Sequence, residues 1–123
     1  MRKIRAGIIG AGFISISHLD AIRRIGFADI AGITDINYEL AKKKAEEYAI
    51  PKCYKTVEEL LADDTINVVH NCTPNYLHLE INKKIIKAGK HVFSEKPLAM
   101  NSTESQEMLD LVNEHKELVH GVN

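Results

Sequence analysis

No stretch restricts the folds open to this chain more than Ile4 to Ser15. An apolar run of strand length, Ile4 to Ile9, stops at Gly10-Ala11-Gly12, and a segment with helical apolar spacing runs on from Phe13 to Ile25. That is a buried parallel strand, a glycine turn and a helix. Gly10 permits the tight turn, and Gly12 lets the backbone come close to a pyrophosphate held at the helix N-terminus. The partial positive charge and unpaired N–H groups of that helix end suit an anion. Ser15 stands where the dinucleotide-binding fingerprint has its third glycine or an alanine, and a serine is small enough for helix and strand to pack closely.

The helix carries Ile14, His18, Ala21, Ile22 and Ile25 on one stripe, with Arg23 and Arg24 on the other side. His18 therefore points inward, as a core or boundary histidine hydrogen-bonded near the turn rather than a catalytic one. A second apolar segment, Asp29 to Asp35, ends in an acid placed 25 positions after Gly10, the separation expected for a carboxylate that binds the adenosine ribose hydroxyls. That carboxylate would repel a 2′-phosphate, and Ile36-Asn37-Tyr38 supplies no arginine to hold one, which favours NAD over NADP. Asp35, or Asn37 after it, can also cap the helix that starts near Tyr38, and the two roles can coexist.

Glu39 to Ala49 reads as a helix stopped by Ile50-Pro51, followed by a short third strand, Lys52 to Lys55. Thr56 and Glu59 have the spacing of a capping box before Leu60-Leu61. Ile66 to Cys72 is a fourth strand whose C-terminal end borders the crevice of a doubly wound sheet. There Thr73-Pro74-Asn75-Tyr76-Leu77-His78 follows, with Asn75 placed to cap a helix that runs to Ala88 and stops at Gly89. A fifth strand, Lys90 to Ser94, delivers Glu95-Lys96-Pro97-Leu98-Ala99 to the same edge. A helix from Thr103 to His115 and a last strand, Leu118 to Val122, complete the alternation. The pattern predicts an α/β Rossmann domain over residues 1–123: a doubly wound, mostly parallel six-stranded sheet with helices on both faces.

Composition narrows the partners. With 45% hydrophobic and 27% charged residues the chain has the make-up of a soluble globular domain. No apolar run is long enough to cross a bilayer, and Met1-Arg2-Lys3 leads into a strand without a signal-peptide pattern, so a cytoplasmic protein is expected. A net charge of −1 gives no reason to expect nucleic acid or an anionic membrane, and Lys42-Lys43-Lys44 with Glu46-Glu47 reads as a solvated helix face. Cys53 and Cys72 are too few for a disulfide framework and read as reduced core residues. His70, His78 and His91 lack the clustered spacing of metal ligands, and no metal site is expected.

The combination Gly10-x-Gly12, Asp35, Thr73-Pro74-Asn75-x-x-His78 and Glu95-Lys96-Pro97 resembles the N-terminal domain of the glucose–fructose oxidoreductase, inositol dehydrogenase and MocA family, over essentially all 123 residues. The resemblance implies that Gly10, Gly12, Phe13 and Ile14 lie along the pyrophosphate of NAD and Asp35 takes the adenosine ribose. It implies that Thr73, Pro74, Asn75 and His78 line the cofactor path, the last two nearest the nicotinamide. Glu95 would approach the nicotinamide ribose or carboxamide, Pro97 would fix the turn through a cis bond, and Lys96 would stand between nicotinamide and substrate as the catalytic residue. A lysine in a closed pocket can hydrogen-bond a carbinol oxygen or share its proton, which supports that role on chemical grounds. His78, on the first turn of a helix, could equally contact only backbone.

Members of that family carry a second α/β domain that supplies the substrate pocket and an acid/base histidine and through which they associate. The chain is therefore expected to be the truncated cofactor-binding part of a dehydrogenase acting on a sugar, inositol or related polyol, able to bind dinucleotide without turning over, and a possible homo-oligomer. An NAD-dependent glycosidase of the same family and a non-catalytic dinucleotide-sensing module are the alternatives. Keeping Lys96 within Glu95-Lys96-Pro97 argues against the sensor.

Overall fold

The computed structural model describes residues 3–123. In chain order the elements are β1 (Ile4–Ile9), α1 (Phe13–Ile25), β2 (Ala28–Thr34), α2 (Tyr38–Glu47), α3 (Val57–Leu61), β3 (Val68–Asn71), α4 (His78–Lys87), β4 (His91–Ser94), α5 (Ser102–Glu114) and β5 (His120–Val122). The sheet runs β2-β1-β3-β4-β5, and every pairing is parallel. The chain winds outward from β1 to β2 and then returns to lay β3 on the other side of β1. Strand order thus reverses between β1 and β3, the place where a doubly wound sheet opens a crevice at its C-terminal edge.

Side chains of β1 alternate between two buried layers. Ala6 and Ile8 join Leu19, Ile22 and Ile33 beneath α1 and α2, while Ile9 joins Leu60, Val69, Ile85, Val92 and Met108 beneath α3, α4 and α5. Burying a side chain such as Ile8 or Ile85 contributes about 1.5–3 kcal/mol. These layers hold the strand ends that carry the functional loops. Helix termini follow local sequence: α1 ends at Gly26 in the left-handed region, Asn37 caps α2 by accepting from the Leu40 amide, and Thr56 caps α3 by accepting from the Glu59 amide. The Glu59 carboxylate reaches back to the Lys55 amide, close to the capping-box pattern.

The sheet has five strands where the sequence predicts six. Lys52 to Lys55 makes a single parallel bridge, Cys53 to Ile33. Two ladder bonds form, Ile33 N–H to the Lys52 carbonyl and Tyr54 N–H to the Ile33 carbonyl. Pro51 has no N–H to extend the ladder on one side, and the cap at Thr56 turns the chain away on the other. Asn75 does not cap a helix either. The chain after Pro74 takes a 3₁₀ turn over Asn75–Leu77, in which Leu77 N–H donates to the Pro74 carbonyl, and α4 starts at His78. The last helix lies one residue earlier than expected and is capped by Asn101, which accepts from the Glu104 amide.

Candidate functional site

The ends of β1 and β3 meet at Gly10. Its φ is +100°, and a Cβ built there would lie 2.5 Å from the Cys72 carbonyl oxygen, so the turn needs glycine for both conformation and space. Gly12 differs: its φ is −74°, and a Cβ there would meet nothing within 4 Å. It is the N-cap residue of α1 and offers no side-chain acceptor; the Ser15 amide donates to its carbonyl at 3.1 Å, which leaves the Phe13 and Ile14 amides for an outside acceptor. Ser15 is fully buried, with its hydroxyl donated to the Gly12 carbonyl at 2.6 Å, which lets a polar residue sit at the tight helix–strand contact.

This turn forms one wall of an open cleft of about 570 Å³. Gly10, Gly12, Phe13 and Ile14 line it with Asp35 and Ile36 from the end of β2 and with Thr73 and Pro74 from the loop after β3. The Asp35 carboxylate is held from both sides. One oxygen accepts from the Ala11 amide and the other from the Asn37 amide, each at 2.7 Å. A carboxylate has about four lone-pair sites, so both oxygens keep capacity for outside donors. Phe13 and Ile36 are solvent-exposed in the same cleft. An α1 N-terminus without a side-chain cap, a glycine there with open space around it, and an acid at the neighbouring strand end are the features a dinucleotide needs, and the residues fit that ligand.

Glu95, Lys96 and Pro97 leave the C-terminal end of β4 and, like Asn75 and His78, do not line this cleft; the Lys96–Pro97 peptide bond is cis. The Lys96 side chain is exposed. Glu95 is only 5% exposed and turns inward, accepting from His18 Nε2 at 2.7 Å and from Asn123 Nδ2 at 2.8 Å. Burial works to raise the Glu95 pKa, but the hydrogen bonds from His18, Asn123 and the Lys96 amide hold it below the usual carboxylate value. His18 is the buried, hydrogen-bonded residue its helical position predicts. Its Nδ1 lies 2.9 Å from His70 Nδ1, with Phe93 packed against both rings. Burial and the neighbouring His18 push the His70 pKa down to about 4.

His78 is fully buried, with Nδ1 at 2.6 Å from the Pro97 carbonyl oxygen and Nε2 at 2.8 Å from that of Thr73. Its ring therefore contacts backbone on both sides and ties the loop after β3 to the turn after β4. Asn75 is exposed on the 3₁₀ turn. The polar role in this loop falls instead to Asn71, whose Oδ1 accepts from the Thr73 hydroxyl and whose Nδ2 donates to Asn82, which in turn donates to Ser94. Cys72 is buried just past β3 and Cys53 is half-buried, and both are free thiols. Among the described residues no group of three or more His, Cys, Asp or Glu side chains could hold a metal, and no helix is long and apolar enough to cross a membrane.

Sequence reasoning missed Lys55, Thr56, Val57 and Glu58, which line the cleft together with Asp35. Their signal was the position of the third ladder segment, whose C-terminal end must reach the same sheet edge. It also missed the joining of His18 to Glu95, which lie 77 positions apart and carry no local pattern.

Comparison with known proteins bears on the family and the fold. A family described as oxidoreductase family, NAD-binding Rossmann fold (GFO_IDH_MocA) matches residues 4–122. Myo-inositol 2-dehydrogenase of Thermotoga maritima is 32% identical over 107 residues, covering 87% of this chain and 32% of its own. A levoglucosan dehydrogenase solved with NADH and levoglucosan superposes with a TM-score of 0.92 at 32% identity, over 98% of this chain and 34% of that one. A mutant of KijD10, a 3-ketoreductase from Actinomadura kijaniata solved with TDP-benzene and NADP, gives a TM-score of 0.89 at 26% identity, over 99% and 37%. The chain spans about a third of the length of the curated relatives it matches.

Proposed function

The chain belongs to the Gfo/Idh/MocA oxidoreductase family and carries its NAD-binding Rossmann fold, and on that premise we propose that it is the cofactor-binding part of a dehydrogenase that moves hydride between a nicotinamide and a hydroxyl-bearing carbon of a sugar, inositol or related polyol. The observation that carries this reading is the uncapped N-terminus of α1 at Gly12 sharing one cleft with Asp35. When bound, the nicotinamide supplies the hydride acceptor or donor.

The chain's own residues divide the remaining work. The amides of Phe13 and Ile14 after Gly12 would hold the pyrophosphate and Asp35 would accept from the ribose hydroxyls, while Thr73 and Pro74 would border the cofactor path. Lys96 binds the carbinol oxygen of the substrate and shares its proton. Asn75 would border the nicotinamide end from its exposed turn. His78 and Glu95 act from behind, by fixing the loops after β3 and β4 that would border the nicotinamide. The carboxylate of Asp35 repels a 2′-phosphate, and no arginine adjoins it, which supports NAD over NADP. The substrate pocket and the acid/base group come from sequence outside these residues, in keeping with relatives about three times as long. We place the protein in the cytoplasm, where two free cysteines stay reduced.

Fluorescence titration with NADH and, in parallel, NADPH tests the cofactor reading. Saturable binding with NADH preferred, and the preference lost in Asp35→Ser, is expected; equal binding of the two by the unaltered chain removes Asp35 from its role. In the intact protein, assayed with NAD and a panel of inositols and sugars, Lys96→Met should abolish turnover and leave NADH affinity unchanged. Turnover surviving that substitution refutes the catalytic assignment.

A further inference from the structure

We propose that His18 is a positioning residue for Lys96 that acts through Glu95, an inference that rests on the catalytic reading of Lys96 given above. The Glu95 carboxylate joins two distant parts of the fold, His18 on α1 at 2.7 Å and Asn123 after β5 at 2.8 Å, and Lys96 follows it directly in the chain. A carboxylate only accepts, so His18 must present Nε2–H to it. The other ring nitrogen faces His70 Nδ1 at 2.9 Å, and that contact fixes which way the His18 ring stands. Phe93 closes over both rings. His18 and Glu95 side chains are 4% and 7% exposed, so no water competes for the bond.

The other end of the same turn is held independently. The Pro97 carbonyl oxygen lies 2.6 Å from His78 Nδ1, whose second nitrogen faces the Thr73 carbonyl. Lys96 thus projects from a turn gripped on its N-terminal side by His18 through Glu95 and on its C-terminal side by His78. Its amine is exposed at the end of a long, rotatable stem, so its aim depends on how rigidly the turn is held. His18 lies on the helix whose first turn holds the pyrophosphate in the reading above, so one rigid element would set both the cofactor and the lysine that works beside it.

The test compares His18→Leu, His18→Gln and Lys96→Met in the intact protein. Glutamine can still donate an N–H to Glu95, whereas leucine cannot. His18→Leu is expected to lower kcat about 10- to 100-fold with KM and NADH affinity within twofold of the parent. His18→Gln should recover most of that loss. Independently of turnover, mass-spectrometric labelling of NADH-bound protein with an amine-acylating reagent should show the Lys96 rate changed severalfold in His18→Leu and restored in His18→Gln, with Lys43 as internal reference. Unchanged kcat and Lys96 labelling in His18→Leu overturn the proposal. So does a loss in which NADH affinity and melting temperature fall in step with kcat and glutamine gives no rescue. Because His18→Leu leaves a carboxylate buried with one partner fewer, His70→Phe serves as a second variant. It removes only the contact behind His18, and a parent-like Lys96 labelling rate in it counts against the relay of position. Lys96→Met separates the two levels: if it keeps turnover the catalytic reading itself fails, whereas if it abolishes turnover while His18→Leu does not, only the role of His18 fails.

Discussion

Alanine at Gly10 and alanine at Gly12 should separate folding from ligand binding at two positions one residue apart. At Gly10 the φ of +100° disfavours any residue with a Cβ by about 1–2 kcal/mol. The added carbon also meets the Cys72 carbonyl oxygen at 2.5 Å and carbon at 2.6 Å. Both are main chain, held in the sheet by the Cys72 N–H bond to the Ile9 carbonyl, so the ends of β1 and β3 must part, which costs about 1–3 kcal/mol more. The sum, about 2–5 kcal/mol, lowers the melting temperature of a domain this size by roughly 10–20 °C. Gly12 has an ordinary φ and open space around it, so Gly12→Ala should change stability by no more than about 0.5 kcal/mol. Its methyl occupies the place assigned to the pyrophosphate, and NADH affinity should fall at least about tenfold, about 1.4 kcal/mol. Thermal melts by circular dichroism and NADH fluorescence titrations read the two effects separately. A Gly12→Ala chain that melts and binds NADH like the parent refutes the placement of the phosphates, and a Gly10→Ala chain with parental stability refutes the steric reading of the β1–β3 contact.

Stability should depend on His70. Its pKa is lowered from 6.5 to about 4 by burial and by His18, so the unfolded chain binds the extra proton first as pH falls. The contribution is full above about pH 6.5 and is lost between about 6.5 and 4, up to about 3 kcal/mol. Urea denaturation across that range should show the slope, and His70→Gln should flatten it. Burial pushes the Cys72 thiol up to about 12, and the thiol is shielded behind the Gly10 turn. At pH 8 a thiol-reactive disulfide should therefore modify Cys53 first and reach Cys72 only under denaturing conditions. Equal rates at the two sites would contradict the packing.

The parts of the molecule legible in the sequence are those fixed by neighbours in the chain. Ile4 to Ile25 reads correctly as strand, turn and helix because apolar period, glycines and cap act within a few residues. The acid at Asp35 is found by its fixed separation from Gly10. Lys52 to Lys55 reads as a strand because its side chains suit one, yet strand length is set by partners, and only Ile33 pairs with it. Asn75 is the right residue type for a cap, but Pro74 starts a 3₁₀ turn that removes the need for one. The inward turn of Glu95 and the double backbone contact of His78 depend on groups from other strands and helices, and no spacing rule encodes them.

The hydrogen bond from the Ala11 amide to Asp35 ties the residue proposed above to select between dinucleotides to the loop proposed to carry their common phosphates. On that proposal, a lineage moving from NAD to NADP has to surrender the carboxylate, and with it an anchor of its own glycine turn. The change is then not a single step: a substitution elsewhere that steadies Ala11 has to come first or arrive together with it. The same holds at the bench, where a cofactor swap made at Asp35 alone should yield a chain that has lost its old preference before gaining a new one.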